Sequence, residues 1–141
     1  MASMNVGRVV GGGLLAGLII NISEYVLNDP ILGEKWEAAS AAMNSPTPDT
    51  ATLAFYSICG FVLGLVAVWL YATMRPRLGA GPKSAIIAGL IVWLLYYGLV
   101  YLGLGIHGIF AWDIAGVVLG WSLVEMMIAS VVGCAIYKEA E

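Results

Sequence analysis

A chain of 141 residues that is 61% hydrophobic and only 11% charged cannot coat a soluble domain, which carries roughly 25% charged side chains. Its mean hydropathy of +0.93 points to a bilayer as solvent. The net charge of −3 says little about partners, and without a basic cluster nucleic-acid binding has no support.

Four stretches carry the fold. Residues 9–23 are free of charge, and their apolar pattern continues past Glu24 to Leu27. Residues 50–74 and 84–106 are clean, and residues 114–137 are interrupted only by Glu125. About 20 apolar helical residues cross a bilayer core, and in hydrocarbon the backbone must satisfy itself, which selects helices. The expectation is an all-α, single-domain bundle of four transmembrane helices, with spans at about 8–28, 50–74, 84–105 and 113–137.

Arg8 ahead of a Gly/Leu-rich run imitates a signal peptide, but no clean A-x-A site follows, so the first span is read as retained. Past it, Asn28-Asp29-Pro30 reads as a helix start, with Asp29 as N-cap and Pro30 in the first helical position. Ile31, Leu32, Trp36, Ala39 and Met43 then fall on one side of a short interfacial helix. Glu34 and Glu37 fall on the other, with Lys35 near the boundary. "NSPTPDT" ends it, and the second span begins near Asp49 or Thr50. Trp112 and Asp113 are expected to act likewise for the fourth span, an interfacial ring followed by an N-cap acid.

Arg8, Arg75, Arg77, Lys83 and Lys138 fall on one side of this topology and only Lys35 on the other. By the positive-inside rule both termini are cytoplasmic, and the loops at 28–50 and 105–113 face outward. Cys59 and Cys134 lie at depths roughly 10 Å or more apart, so they read as two reduced, buried thiols rather than a disulfide.

Two blocks recur. "AGLI" occurs at 16–19 and 88–91, and "GFVLGL" at 60–65 matches "GVVLGW" at 116–121. Either the chain is a parallel repeat of helical hairpins, or Gly/Leu/Val helices match by chance. Small residues four apart mark every span: Gly13/Gly17, Gly60/Gly64, Ala85/Gly89 and Gly116/Gly120, with Ala129/Gly133 further along the last. Such pairs let membrane helices approach closely. One pair per helix implies a tight bundle, and the surplus on the fourth leaves a face for self-association.

The polar residues within the spans carry the functional question. Glu125 lies about 20 Å from Lys138 and about 18 Å from Asp113 along its helix, at mid-membrane. A central charge costs about 2.5–3.5 kcal/mol on insertion scales, and desolvation favours the neutral acid. Trp121 and Ser122 share its face. On the first span Asn21, Glu24, Tyr25 and Asn28 form one stripe, and Glu24 lies about 24 Å from Arg8, near the depth of Glu125. Trp93, Tyr97 and Tyr101 give the third span an aromatic face. Under the repeat alignment Tyr96 occupies the place of Glu24 and Trp69 that of Glu125, so no symmetric acid pair is expected. Glu125, Glu24, Asn21, Ser122 and Tyr97 are therefore the candidates for ligand or proton binding. The competing role for each is an interhelical hydrogen bond or simple packing.

No catalytic residues, metal site or cofactor is indicated. There is no H-E-x-x-H, no Cys/His cluster and no phosphate-binding loop. His107, the single histidine, stands in the short outer loop, where an ordinary loop histidine outweighs an axial ligand to a pigment or metal. "NIS" at 21–23 imitates a glycosylation sequon inside the membrane and is dismissed.

The segments "NVGRVVGGGLLAGLIINISEYVLN", "LGEKW", "AVWLYATMRPRLGAGPKSAIIAGLIVWLL" and "GWSLVEMMIASVVGCAIYKE" together resemble a group of small uncharacterised bacterial four-helix membrane proteins. The resemblance implies a bacterial inner-membrane location and the same topology, and it brings no activity. The first expectation is an oligomeric or accessory subunit of a membrane assembly, its partners being lipid and either its own copies or a larger complex. The alternative is a small proton- or cation-coupled transporter or channel using Glu125 and Glu24.

Overall fold

The computed structural model describes residues 4–139, and they are all-helical, with no strand among them. The helices are α1 (Val6–Val26), α2 (Gly33–Ala42), α3 (Thr50–Leu78), α4 (Pro82–Trp93), α5 (Leu99–Ile106) and α6 (Trp112–Ala135). Two π-helical segments, Leu27–Ile31 and Leu94–Gly98, extend α1 and join α4 to α5. Four continuous spans result, Val6–Ile31, Thr50–Leu78, Pro82–Ile106 and Trp112–Ala135, each long and apolar enough to cross a membrane. The protein is a multi-pass membrane protein.

Sequence explains the helix ends. Asp49 caps α3, its carboxylate accepting from the Thr52 amide at 2.8 Å and the Thr52 hydroxyl at 2.7 Å. Those bonds stabilise the charged form and hold the exposed Asp49 carboxyl below its ordinary range. α3 stops at Gly79, whose φ of 84° suits glycine, and Pro82 opens α4.

Two expected caps are corrected. Asp29 does not start a new helix, because the first span continues through it. Pro30 has no N–H to donate, and the chain widens into a π turn in which the Leu32 amide reaches back five residues to the Leu27 carbonyl at 2.9 Å. The short helix α2 follows without a side-chain cap. It buries Leu32 and half-buries Trp36 and Ala39, as the pattern required, while Ile31 and Met43 remain exposed. Asp113 is likewise no N-cap: α6 begins one residue earlier. Its carboxylate pairs instead with Lys35 at 2.7 Å, fastening α2 to α6.

Close packing is built on glycine. α1 runs along α3, α4 along α6, and the α1–α6 and α3–α4 contacts close the bundle. A Cβ on Gly17 would lie 2.7 Å from the Phe61 Cα, and one on Gly13 2.7 Å from the Leu65 Cα. Gly64 faces the backbone of Gly13 and Gly17, and Gly12 faces that of Gly133. On the other pair, a Cβ on Gly89 would meet the Met126 carbonyl at 2.8 Å. Gly60 abuts the Asn21 amide. Gly116 and Gly120 differ: both are exposed and a Cβ on either meets nothing within 4 Å. Within one chain they pack no helix.

Charge sorts to the two ends. Arg8 donates to the Ile136 carbonyl at 3.4 Å, and Arg75 stands 3.5 Å from Glu139 and over the Tyr137 ring, gathering both chain ends and the end of α3. The Lys35–Asp113 pair marks the opposite, α2 end. Cys59 and Cys134 are free thiols.

Candidate functional site

Glu125 projects from the middle of α6 into the bundle and is only 4% exposed. Its neighbour across the interior is Tyr97, also 4% exposed, carried by the π segment Leu94–Gly98. A π turn inserts a residue into the helical register and recurs at functional sites. Here it swings consecutive aromatics to different surroundings, with Tyr97 buried and Tyr96 at the surface.

The Tyr97 hydroxyl lies between two acids. It donates to Glu24 Oε1 at 2.7 Å and stands 3.5 Å from Glu125 Oε1. A phenol has one proton to give, and the distances show that Glu24 receives it. Glu24 Oε2 accepts from Asn28 Nδ2 at 2.6 Å, and the Asn28 carbonyl oxygen accepts from Trp36 Nε1 at 2.9 Å. A continuous chain of polar groups therefore links α2, in the order Trp36, Asn28, Glu24, Tyr97, to the acid at mid-span.

Glu125 is less well provided. Its Oε2 is buried without a hydrogen-bond partner among the described residues. Ser23, which accepts from Trp121 Nε1 at 2.8 Å, borders the Glu125 carboxyl with its own proton free to donate. Among the described residues no cationic side chain pairs with either acid.

The sequence candidates separate into three groups. Glu125, Glu24 and Tyr97 meet. Ser122 is fully buried one turn away, but its hydroxyl accepts from Trp93 Nε1 at 3.0 Å rather than from Glu125. Asn21 is not part of the centre: its amide donates to the Gly17 carbonyl at 2.8 Å and to the Ser57 carbonyl at 3.1 Å, tying α1 to α3. Tyr25 is 67% exposed and points away. The remaining stripe residue, Asn28, joins the centre. His107 is exposed in the loop after α5.

Two participants, Trp36 and Ser23, escaped the sequence. Trp36 has the look of an interfacial anchor, yet its indole N–H bonds Asn28, and Trp121, which the sequence places on the face of Glu125, donates to Ser23. Ser23 sits one residue outside the stripe. A signal existed for Trp36 alone, since a helix folding back over the first span must bring its buried ring near Asn28. Around the chain the aromatics form a column. Tyr97 stacks on Tyr101 at 6.4 Å, Tyr101 on Phe110 at 6.1 Å, and Trp36 meets Phe110 edge-on at 5.2 Å.

Chemically, two carboxyls joined by a phenol in a largely dry interior can hold and pass a proton. Among the described residues there is no group of three or more His, Cys, Asp or Glu side chains suited to a metal. Comparison with protein-family models, curated proteins and solved structures returned no match.

Proposed function

We propose that this is a small bacterial inner-membrane protein that binds and releases a proton at the Glu24–Tyr97–Glu125 centre, the chemistry of a proton- or cation-coupled transporter or channel. One observation carries the reading: a single phenolic hydroxyl stands within reach of two acids that have no cationic partner among the described residues. Two bare negative charges at such range in a low-dielectric interior repel strongly, so the pair shares one proton. Relay needs no large motion. As Glu125 closes on Tyr97, its proton passes to the phenol oxygen while the phenol's own proton moves to Glu24 Oε1.

The direction of travel rests on topology. Five of the six Lys and Arg residues, Arg8, Arg75, Arg77, Lys83 and Lys138, lie at the end where α1 begins, α3 gives way to α4 and α6 ends. The positive-inside rule places that end in the cytoplasm and α2 outside. Glu24 then stands on the outer side of Glu125. Cysteines introduced near Lys35 or Ser45 should react with an impermeant reagent from outside, and those near Arg77 or Lys83 should not.

Infrared titration of the purified protein tests the proton reading. Wild type should show a buried carboxylic acid band that Glu125→Gln removes, and Glu125→Gln should fold normally while abolishing pH-driven proton flux in proteoliposomes. Wild-type behaviour of Glu125→Gln in both measurements, with only Glu125→Leu weakened in assembly, would overturn it in favour of a structural hydrogen bond.

A second reading has its own observation. Gly116 and Gly120 expose a side-chain-free strip of α6 to the bilayer. That strip suits contact with another helix, as expected of an oligomeric or accessory subunit. An oligomer would be compatible with the proton centre, because the strip and Glu125 occupy different faces of α6.

A further inference from the structure

The α2 end of the bundle holds a groove that the proton centre does not use. One face of α2 reads Lys35, Ala38, Ala39 and Ala42, spaced so that the four side chains are neighbours on a helix. Across from them stand Asp113 and Ile114 at the start of α6, with Ile109 in the loop before it. A face built to pack would carry Leu or Ile, whereas an alanine side chain reaches only one carbon. A groove of about 340 Å³ therefore stays open beside the Lys35–Asp113 pair, within the roughly 300–1,000 Å³ usual for ligand sites.

Seven of the nine residues lining the groove are Ala, Ile or Met, and the other two are the ion pair. Hydrocarbon walls with one charged end suit an amphiphile. Depth agrees: Asp113 is the second residue of the fourth span, so the charged end sits where the bilayer core gives way to headgroups. The pair is also not saturated. Lys35 donates to Asp113 Oδ2 at 2.7 Å, while an ammonium has three N–H groups and a carboxylate accepts at two oxygens. Both side chains are partly exposed, leaving each of them room for a second partner. A net anion would be repelled by Asp113 and a net cation by Lys35. A ligand carrying both signs fits, with phosphate on Lys35 and ammonium on Asp113, so that charges alternate around four groups. A quaternary amine would lose the second contact, having no N–H to donate.

We propose that the groove between α2 and the start of α6 binds a phospholipid whose headgroup joins a phosphodiester to a primary ammonium. Lys35 takes the phosphate and Asp113 the ammonium, and an acyl chain lies along the alanine face of α2 against Ile109 and Ile114. The site is separate from the Glu24–Tyr97–Glu125 centre, and neither reading rests on the other.

Dioctanoyl phosphatidylethanolamine is the probe, compared with phosphatidylcholine and phosphatidylglycerol of the same chains. Native mass spectrometry of delipidated protein released from detergent should show a single ethanolamine lipid retained per chain. The choline and glycerol lipids should be held about fivefold more weakly, the scale of one exposed ion pair. Asp113→Asn should weaken the ethanolamine lipid and strengthen the glycerol lipid, a change of preference that a purely structural ion pair would not produce. Ala42→Phe fills the groove and spares the pair, so retention should be lost while the thermal midpoint stays unchanged. Equal retention of all three lipids by wild type would overturn the proposal as ordinary annular lipid. Ethanolamine selectivity that survives both substitutions would overturn it as a site elsewhere. Glycerophosphoethanolamine, the same headgroup without chains, should not compete. Competition at equal concentration would assign the groove to a soluble zwitterion and overturn the lipid.

Discussion

The half of the bundle that holds both termini and the half beneath α2 are built on opposite principles. Toward the termini, α1, α3 and α6 meet backbone to backbone through Gly12, Gly13, Gly17, Gly64 and Gly133, with small or apolar side chains such as Ala16 and Val68 filling the seams. Toward α2, helices are held apart by rings and joined by named polar groups: Tyr97 to Glu24, Trp36 to Asn28, Trp121 to Ser23. Both π segments lie in this second half. Membrane helices gain nothing from hiding apolar surface from lipid, so they associate through dispersion or through hydrogen bonds. This protein uses one at each end. The glycine seams bring backbones into contact, and the ring-spaced half holds the polar chemistry.

The largest effect should come from breaking the tight half. Gly64→Leu drives a branched side chain into the backbone of Gly13 and Gly17, an overpacking that costs about 3 kcal/mol or more in a well-packed core. Thermal unfolding in detergent should show a sharp drop or no folded protein at all. Tyr97→Phe comes next and acts on the other half. It deletes the hydroxyl between the acids while keeping the ring that stacks on Tyr101. The protein should fold, losing about 1.5–3 kcal/mol for a buried hydrogen bond to a charged group, and proton flux in vesicles should fall at least as far as in Glu125→Gln. Flux equal to wild type would mean that the acids do not communicate through this phenol.

Gly116→Leu with Gly120→Leu sharpens the comparison from outside. Both positions open onto free space within the chain, so the folded monomer should keep its thermal midpoint. A change in particle size by light scattering would identify this strip as a contact between copies. Asp49→Ala should have the smallest effect, a slight lowering of the midpoint through loss of the α3 cap. Because the folded pKa of Asp49 is depressed, the wild-type advantage is present above the ordinary carboxylate pKa. It is lost as pH falls through the lowered value, and the two proteins should then melt alike.

The spans were legible because uncharged runs of this length have few alternatives in a bilayer. Mid-membrane acids were legible for the same reason, as each breaks a pattern. What the sequence hid was the division of one helix face between neighbours. Asn21, Glu24, Tyr25 and Asn28 share a stripe about 100° wide, and a bundle helix presents such a stripe to more than one surface. Asn21 therefore serves α3 and Tyr25 the lipid, while Glu24 and Asn28 face the centre. The π turns were hidden too. Leu94–Gly98 contains nothing that marks it, and Pro30, which did mark the first, is equally a helix opener. The ion pair of Lys35 with Asp113 spans a separation that no local spacing reveals.

The side chain of Asn28 has a polarity. Its NH2 serves the Glu24 carboxylate and its oxygen receives the Trp36 indole proton. Rotating the amide by half a turn would place oxygen against oxygen at one end and donor against donor at the other, so the link fits in one sense only. That sense is set by three partners: the Glu24 carboxylate and main-chain carbonyl, which both accept from the NH2, and the Trp36 indole, which donates to the oxygen. A proton settling on the carboxylate oxygen removes one of the three. The short helix above the membrane core is thus threaded to a charge inside it, like the hand of a gauge whose spring is a single amide.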